Sequence, residues 1–247
     1  MSGEAFPLIQ DAGDRGILVL FGESLDMATN HAAHAFDRSL IERQWPEVLE
    51  ITPAIRGVLI QYDPVRVTAA EMHDRIRTLL DSRDWLAEGP IPGRRLWRLP
   101  VHYGENSGPD IAGVAEAMGC DIDAVIEEHS AQSLRVLMLG FAPGCAYLGT
   151  LPERWDLPRL DHVKPLVPAG SISVAVRQSV LFATPIPTGW QTIGRTPFLS
   201  FSRDRPPFFF LAPGDEVSFT PIDAARMAEL SAAVEAGEPI VEPESLP

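Results

Sequence analysis

Apolar residues dominate RGILVLFG (15–22), a β-branched and aromatic run ending at glycine, and this predicts a strand. The period then changes. Leu25, Ala28, Ala32, Phe36 and Leu40 recur at helical spacing with charges on the other face, which predicts an amphipathic helix. EVLEIT (47–52) and RGVLIQYD (56–63) return to strand character, and Asp63-Pro64 stops the second. Thr68-Ala-Ala-Glu71 is a capping box: the threonine hydroxyl and the glutamate carboxylate satisfy each other's free backbone N–H groups. The helix it opens buries Met72, Ile76 and Leu79 or Leu80. GRRLWRLPVHYG (93–104) predicts a fourth strand. The order β-α-β-β-α-β is the ferredoxin-like pattern, two helices on one face of an antiparallel sheet. GPIPG (89–93) reads as a linker, so a first α+β domain is placed at residues 1–92.

Beyond the linker the pattern differs. Pro109 suits a helix first turn and opens a short helix to about Met118. Asp121 caps another, with Ile122, Val125, Ile126 and His129 on one face. LRVLMLGF (134–141) is a strand. Short apolar runs then alternate with Pro and Gly in SISVAVRQSVLFA (171–183), PIPTGWQTIGRTP (185–197) and PFFFLAPGDEVSFTPI (207–222), the pattern of a β-barrel or sandwich. Phe208 to Phe210 read as a strand with one buried face, and Pro213-Gly-Asp215 as a tight turn. The barrel domain is placed at residues 93–223. A last helix near 222–236 leads into an acidic, Pro-rich tail expected to be mobile, and residues 224–247 are set apart as that segment.

Composition narrows the functions. A formal charge of −14 repels phosphate backbones and anionic lipid, so neither nucleic acid nor a membrane surface is an expected partner. No apolar run is long enough to span a bilayer and no signal peptide is evident, so a cytoplasmic protein is expected. Two cysteines and six scattered histidines lack metal-ligand spacing, so no metal site is expected.

Chemistry is sought in four places. Cys145, within GFAPGCAYLG (140–149), resembles a nucleophile displayed on a turn, but no charge lies between Arg135 and Glu153 to favour its thiolate; it reads as a small hydrophobe beside Phe141 and Tyr147. His129 is a candidate general acid–base, although its apolar helix stripe suits a buried, hydrogen-bonded histidine. VPAGSISV (167–174) offers backbone N–H groups for an oxyanion or carboxylate. PTGWQTIGRTP (187–197) sets the flat Trp190 near the Arg195 fork, with hydroxyls at Thr192 and Thr196, as in a ligand pocket. No phosphate loop, dinucleotide fingerprint or esterase elbow is present.

In fixed order, the segments from LPVHYGENSGPD through GFAPGCAYLGTLP, VPAGSISV, GW-x-x-IGRTP and PGDEVSF resemble the family of 5-oxoprolinase B subunits, also known as allophanate hydrolase subunit 1, over residues 14 to 222. The family includes the kinase inhibitor KipI and part of the carboxyltransferase region of urea carboxylase. The resemblance implies a small α+β domain followed by a cyclophilin-like β-barrel. It implies a C-like partner with a similar barrel, an A-like partner, a small amide or carboxylate substrate, and ATP, bound in the complex with a partner and used to open 5-oxoproline to glutamate. By motif it implies a pocket of Pro143, Gly144, Tyr147, Gly170, Ser171, Gln178, Gly189, Trp190, Arg195 and Thr196. Our assignment within it gives Arg195 an acidic group, Ser171 an oxyanion and Trp190 the apolar wall. The alternatives are a KipI-like module that inhibits a sensor kinase and a component of a biotin-dependent carboxyltransferase. The sequence departs from the family pattern at Cys145, where phenylalanine is usual; at Val176-Arg177, where two glycines are usual; at Thr188, where glycine is usual; and at Lys164 and Leu166, where arginines are usual. Turns that used glycine at positive φ are expected to change.

Overall fold

A computed structural model describes residues 6–104, 106–204 and 206–246. The chain divides into two compact units, Met1–Pro92 and Gly93–Pro247.

The first unit contains β1 (Leu8–Asp11), β2 (Gly16–Leu20), α1 (Met27–Arg43), β3 (Val48–Pro53), β4 (Gly57–Tyr62) and α2 (Ala69–Leu80). Its sheet has the order β1-β2-β4-β3, with every neighbouring pair antiparallel. This is the ferredoxin-like arrangement with its edge strand supplied from the front of the chain. The strand read at 93–104 is therefore not the fourth strand of this sheet; it belongs to the second unit, and β1 takes the edge. Alternation puts Ile17, Val19, Val58 and Ile60 on one face, against Phe36 of α1 and Met72 and Ile76 of α2, all fully buried. Phe36 meets Phe21 and Trp85 edge-on, at 5.5 and 5.1 Å. Helix α1 starts after Asp26, whose carboxylate accepts the Thr29 N–H at 2.8 Å. Leu25 thus lies outside the helix and Ala28 is exposed. Helix α2 has the expected Thr68–Glu71 box.

The second unit starts with β5 (Arg95–Tyr103), α3 (Ile111–Met118), α4 (Ile122–Ser130), β6 (Ser133–Leu139) and β7 (Ala146–Gly149). It continues with β8 (Lys164–Val167), β9 (Ser171–Ala175), β10 (Gln178–Leu181), β11 (Ile186–Thr188) and β12 (Gln191–Arg195), and ends with β13 (Glu216–Pro221), α5 (Ala224–Glu235) and β14 (Glu244–Ser245). Seven strands close into a barrel in the order β12-β9-β10-β7-β6-β13-β5, returning to β12. The closing seam pairs Gly194 with Tyr103 and Arg195 with His102. A Cβ on Gly194 would lie 2.9 Å from Val101 Cγ1 and 3.0 Å from the His102 carbonyl, so the seam packs closely on this glycine. Inward residues fill the ring: Trp97, Leu99 and Val101 from β5, Leu148 from β7, Ile172 and Val174 from β9, Ile193 from β12 and Phe219 from β13.

The turn before β13 is held by one carboxylate. Asp215, 3% exposed, accepts from the Arg95 N–H and side chain, the Trp97 indole and the Ala212 N–H at 2.6–3.1 Å. Two sequence expectations are corrected here. Phe208 and Phe209 form no strand with a buried face: both are about half exposed, with a single bridge from Phe209 to Phe201. The acidic tail is tied down: Ile240 and Val241 pack on the barrel core, β14 pairs with the start of β5, and Glu244 accepts two bonds from Arg98 at 2.9 and 3.3 Å.

Candidate functional site

The outer face of the barrel carries a second apolar layer. In β10, Ser179 and Leu181 turn inward while Val180 turns outward, followed on that face by Phe182. Cys145, Val167, Ala175, Val180, Phe182, Ile186 and Trp190 form this outer cluster, to which the β8–β11 pair contributes Val167 and Ile186. Beside it opens a cavity of about 430 Å³, lined by Tyr147 of β7, Thr188 of β11, Phe182, Gly189 and Trp190 just beyond strand ends, and Phe141, Arg159 and Val163 from the loops. That volume suits a small molecule.

Trp190 is the anchor. The Thr188 hydroxyl accepts its backbone N–H at 3.0 Å, and its ring meets Tyr147 edge-on at 5.9 Å. The Leu160 N–H donates to the Gly189 carbonyl at 2.7 Å, which brings the Arg159 loop over this wall. The Arg159 guanidinium lies 5.6 Å from the Trp190 ring centre. Burial pushes the Tyr147 phenol up and the nearby Arg159 charge acts in the opposite direction, so at neutral pH Tyr147 is a protonated donor. At the mouth Phe141 is 73% exposed and has φ +70°, a conformation that is costly for a bulky side chain.

Of the residues named from sequence, the structure brings Tyr147, Gly189 and Trp190 to the cavity. The Pro143-Gly144 turn sits beside Phe141 in the chain, and Gly144 is buried against Phe201 with its carbonyl accepting from Ser200 at 2.6 Å. Gln178 starts β10, on the Val180 side, paired with Gly149. The others are elsewhere. Trp190 precedes β12 and Arg195 ends it, and Arg195 does not line this cavity. Arg195 instead donates from Nε to the Ala169 carbonyl at 2.9 Å. The expected oxyanion site is also corrected. The Gly170 N–H donates to the Phe182 carbonyl at 2.7 Å, and both the N–H and the hydroxyl of Ser171 donate to the Pro168 carbonyl. Gly170 has φ +81°, and a Cβ there would meet the Thr196 carbonyl at 2.1 Å, so this segment is a packed turn. Thr196 is buried and accepts the Phe198 N–H at 3.1 Å.

His129 is a core residue rather than a catalytic base. It is 0% exposed, Nδ1 lies 2.8 Å from the Tyr103 hydroxyl, Nε2 lies 3.1 Å from Ser179 Oγ, and its ring stacks on Phe219 at 4.5 Å. Burial lowers its pKa to about 3, so it is neutral at physiological pH. Cys145 is likewise fully buried, and burial raises its thiol pKa, the opposite of what a nucleophile needs. Lys164 pairs with Asp110, whose carboxylate also accepts the Thr192 N–H at 2.5 Å. Among the described residues no cluster of His, Cys, Asp or Glu could hold a metal ion. Sequence reasoning misses Arg159 and Phe141 as site residues: Arg159 sits in no motif, and Phe141 signals itself only through backbone conformation.

Residues 7–211 match the family described as carboxyltransferase domain, subdomain C and D. The chain belongs to this family. It is 32% identical to the 5-oxoprolinase B subunit of Bacillus subtilis over 221 residues, which cover 87% of this chain and 92% of that protein. The crystal structure of TTHA0988 is similar with a TM-score of 0.72 and 30% identity, over 85% of this chain. This chain spans 40% of that longer one. The urea carboxylase of Kluyveromyces lactis, 16% identical, has the same fold with a TM-score of 0.78 over 96% of this chain and 24% of its own. In this member of the carboxyltransferase subdomain family, the turn at Val176-Arg177 holds left-handed backbone without glycine. Both residues have positive φ, 45° and 61°, as a two-residue hairpin turn requires. The Val176 and Arg177 N–H groups are held by the Leu157 and Trp155 carbonyls at 2.8 and 3.1 Å.

Proposed function

We propose that this chain is the B component of a cytoplasmic, ATP-dependent amidohydrolase of the 5-oxoprolinase type. It acts with a C-like partner of cyclophilin fold and an A-like partner to open 5-oxoproline, or a related cyclic amide, to the amino acid. The observation that carries the reading is the cavity, whose lining comes from two of the motifs behind the family resemblance, Tyr147 from one and Gly189-Trp190 from the other. The similarity to a protein named as a 5-oxoprolinase B subunit, over nearly its whole length, supports it. In this reading the chain binds and orients substrate. The oxyanion donors expected at Gly170 and Ser171 are internally bonded, so the groups that activate the amide belong to the assembled complex. The same holds for ATP: the cavity has one lining cation, Arg159, and the amides of the 170–171 turn are occupied, so this chain alone does not fit a triphosphate.

The test is reconstitution with the A-like and C-like homologues, followed by assay of glutamate and ADP release from 5-oxoproline and ATP. Turnover by the wild-type complex, lowered at least tenfold by Trp190→Ala with the complex intact, is the expected result. An intact wild-type complex without turnover would sink the substrate, and full activity in Trp190→Ala would remove the cavity from the reaction.

A further inference from the structure

The cavity is supplied with hydrogen-bond donors that the protein leaves unused. Trp85, Trp97 and Trp155, all buried, each give their indole N–H to an acceptor: the Leu80 carbonyl at 2.9 Å, Asp215 at 3.1 Å and Glu128 at 2.9 Å. Trp190 is 7% exposed, yet among the described residues its indole N–H meets no acceptor. That nitrogen is not among the buried unpartnered atoms, so it is open to solvent and to a ligand. Tyr147 shows the same contrast. The buried Tyr103 hydroxyl is bonded to His129 at 2.8 Å, while among the described residues the Tyr147 hydroxyl has no partner.

Arg159 completes the set. Lys164, close by in the sequence, pairs with Asp110, and Arg154 pairs with Glu128. Among the described residues no carboxylate lies within ion-pair distance of Arg159; its contact is the Trp190 ring. A guanidinium over an aromatic face is weakly hydrated and already oriented, which favours planar, bidentate partners. The cavity lining itself contains no Asp or Glu.

We propose that this cavity is a carboxylate subsite, in which Arg159 grips the carboxylate of a small, compact acid whose apolar body rests among Phe141, Val163 and Phe182, with Tyr147 and the Trp190 indole as further donors. The acid is singly charged and compact, because one cation is present and the walls beneath it are apolar. This makes Arg159, rather than Arg195, the residue that sets preference for an acid over a neutral lactam. The inference rests on the proposed function in taking the cavity as the substrate site, but the binding test below does not require the reaction.

Titration calorimetry on the full chain compares 5-oxoproline, cyclopentanecarboxylate and the neutral lactam 2-pyrrolidinone. Both acids are expected to bind at least tenfold more tightly than the lactam. Arg159→Gln, an exposed change outside the core, is expected to abolish that difference, and Arg159→Lys to restore part of it. Equal binding of acids and lactam, unchanged acid affinity in Arg159→Gln, or no acid binding at roughly 10 mM overturns the subsite. The two readings also fail separately. Arg159-dependent acid binding in a complex that hydrolyses nothing overturns the proposed function and leaves the subsite. Turnover whose KM for 5-oxoproline is unmoved by Arg159→Gln overturns the subsite and leaves the function.

Discussion

Trp190 and Arg195 bracket β12, one before its first residue and one at its last, a separation of about 16 Å at roughly 3.3 Å per residue. Two side chains that look like one pocket in the sequence therefore serve two places. Arg195→Ala is expected to loosen the Ala169–Thr196 turn, costing about 1–2 kcal/mol in urea unfolding for the lost charged hydrogen bond. Ligand affinity in the cavity is expected to stay within a factor of two. A tenfold loss of affinity in Arg195→Ala would restore it to the site.

His129 makes stability depend on pH. Its folded pKa of about 3 lies below the ordinary histidine value, so between those limits the unfolded chain binds the extra proton. The stabilisation from keeping His129 neutral is complete above about pH 6.5 and is lost progressively as pH falls toward 3. The slope attributable to this residue is up to about 1.4 kcal/mol per pH unit. Urea midpoints measured at pH 7 and pH 4.5 are expected to fall less in His129→Gln than in wild type. Parallel lines for the two proteins would remove His129 as the cause.

Val176 holds left-handed backbone at φ 45° and is 43% exposed, so replacing it removes little buried surface. The αL conformation costs a side-chain-bearing residue about 1–2 kcal/mol, and glycine returns part of that as unfolded-state entropy. Val176→Gly is expected to stabilise the protein by about 0.5–1 kcal/mol, raising Tm by about 1–4 °C. A lowered Tm would show that the Val176 side chain contributes packing that outweighs its backbone cost. Arg177 is better left in place, since its Nε also donates to the Leu151 carbonyl at 3.1 Å.

Cys145 and Cys120 differ in access: Cys145 is fully buried and Cys120 partly exposed. A thiol reagent is expected to label Cys120 in the native protein and Cys145 only on unfolding. Cys145→Ala is expected to cost about 1 kcal/mol through a small void and to leave turnover in the reconstituted complex intact. Rapid native labelling of Cys145, or complete loss of turnover in Cys145→Ala, would return it to candidacy as a nucleophile.

Local signals are the most legible. The Thr68–Glu71 box, the Asp121 cap and the Gly-bounded strands appear where their chemistry places them. Pairing is less legible, because alternation specifies a strand without specifying its neighbour. Residues 93–104 carry the alternation of a sheet strand, but the partners of Trp97 and Leu99 are Val217 and Phe219, far along the chain. β1 escapes notice because LIQD is short and half polar. Phe208-Phe209-Phe210 misleads because three apolar residues in a row have no period. At the site, motif residues are legible in proportion to their packing role. Tyr147 and Trp190 are held by the outer cluster, whereas Arg159 reaches it from an irregular loop tied down by bonds at Pro158 and Leu160.

Strand order in the barrel also governs when it can form. β13 lies between β5 and β6, yet it is the last strand of the ring to leave the ribosome. During synthesis the first unit has all its strands and both helices in hand by residue 80. The barrel, by contrast, remains an open gutter with two unpaired edges until residue 221 has emerged. A partner that recognises the closed ring can therefore engage the chain only once β13 has joined β5 to β6.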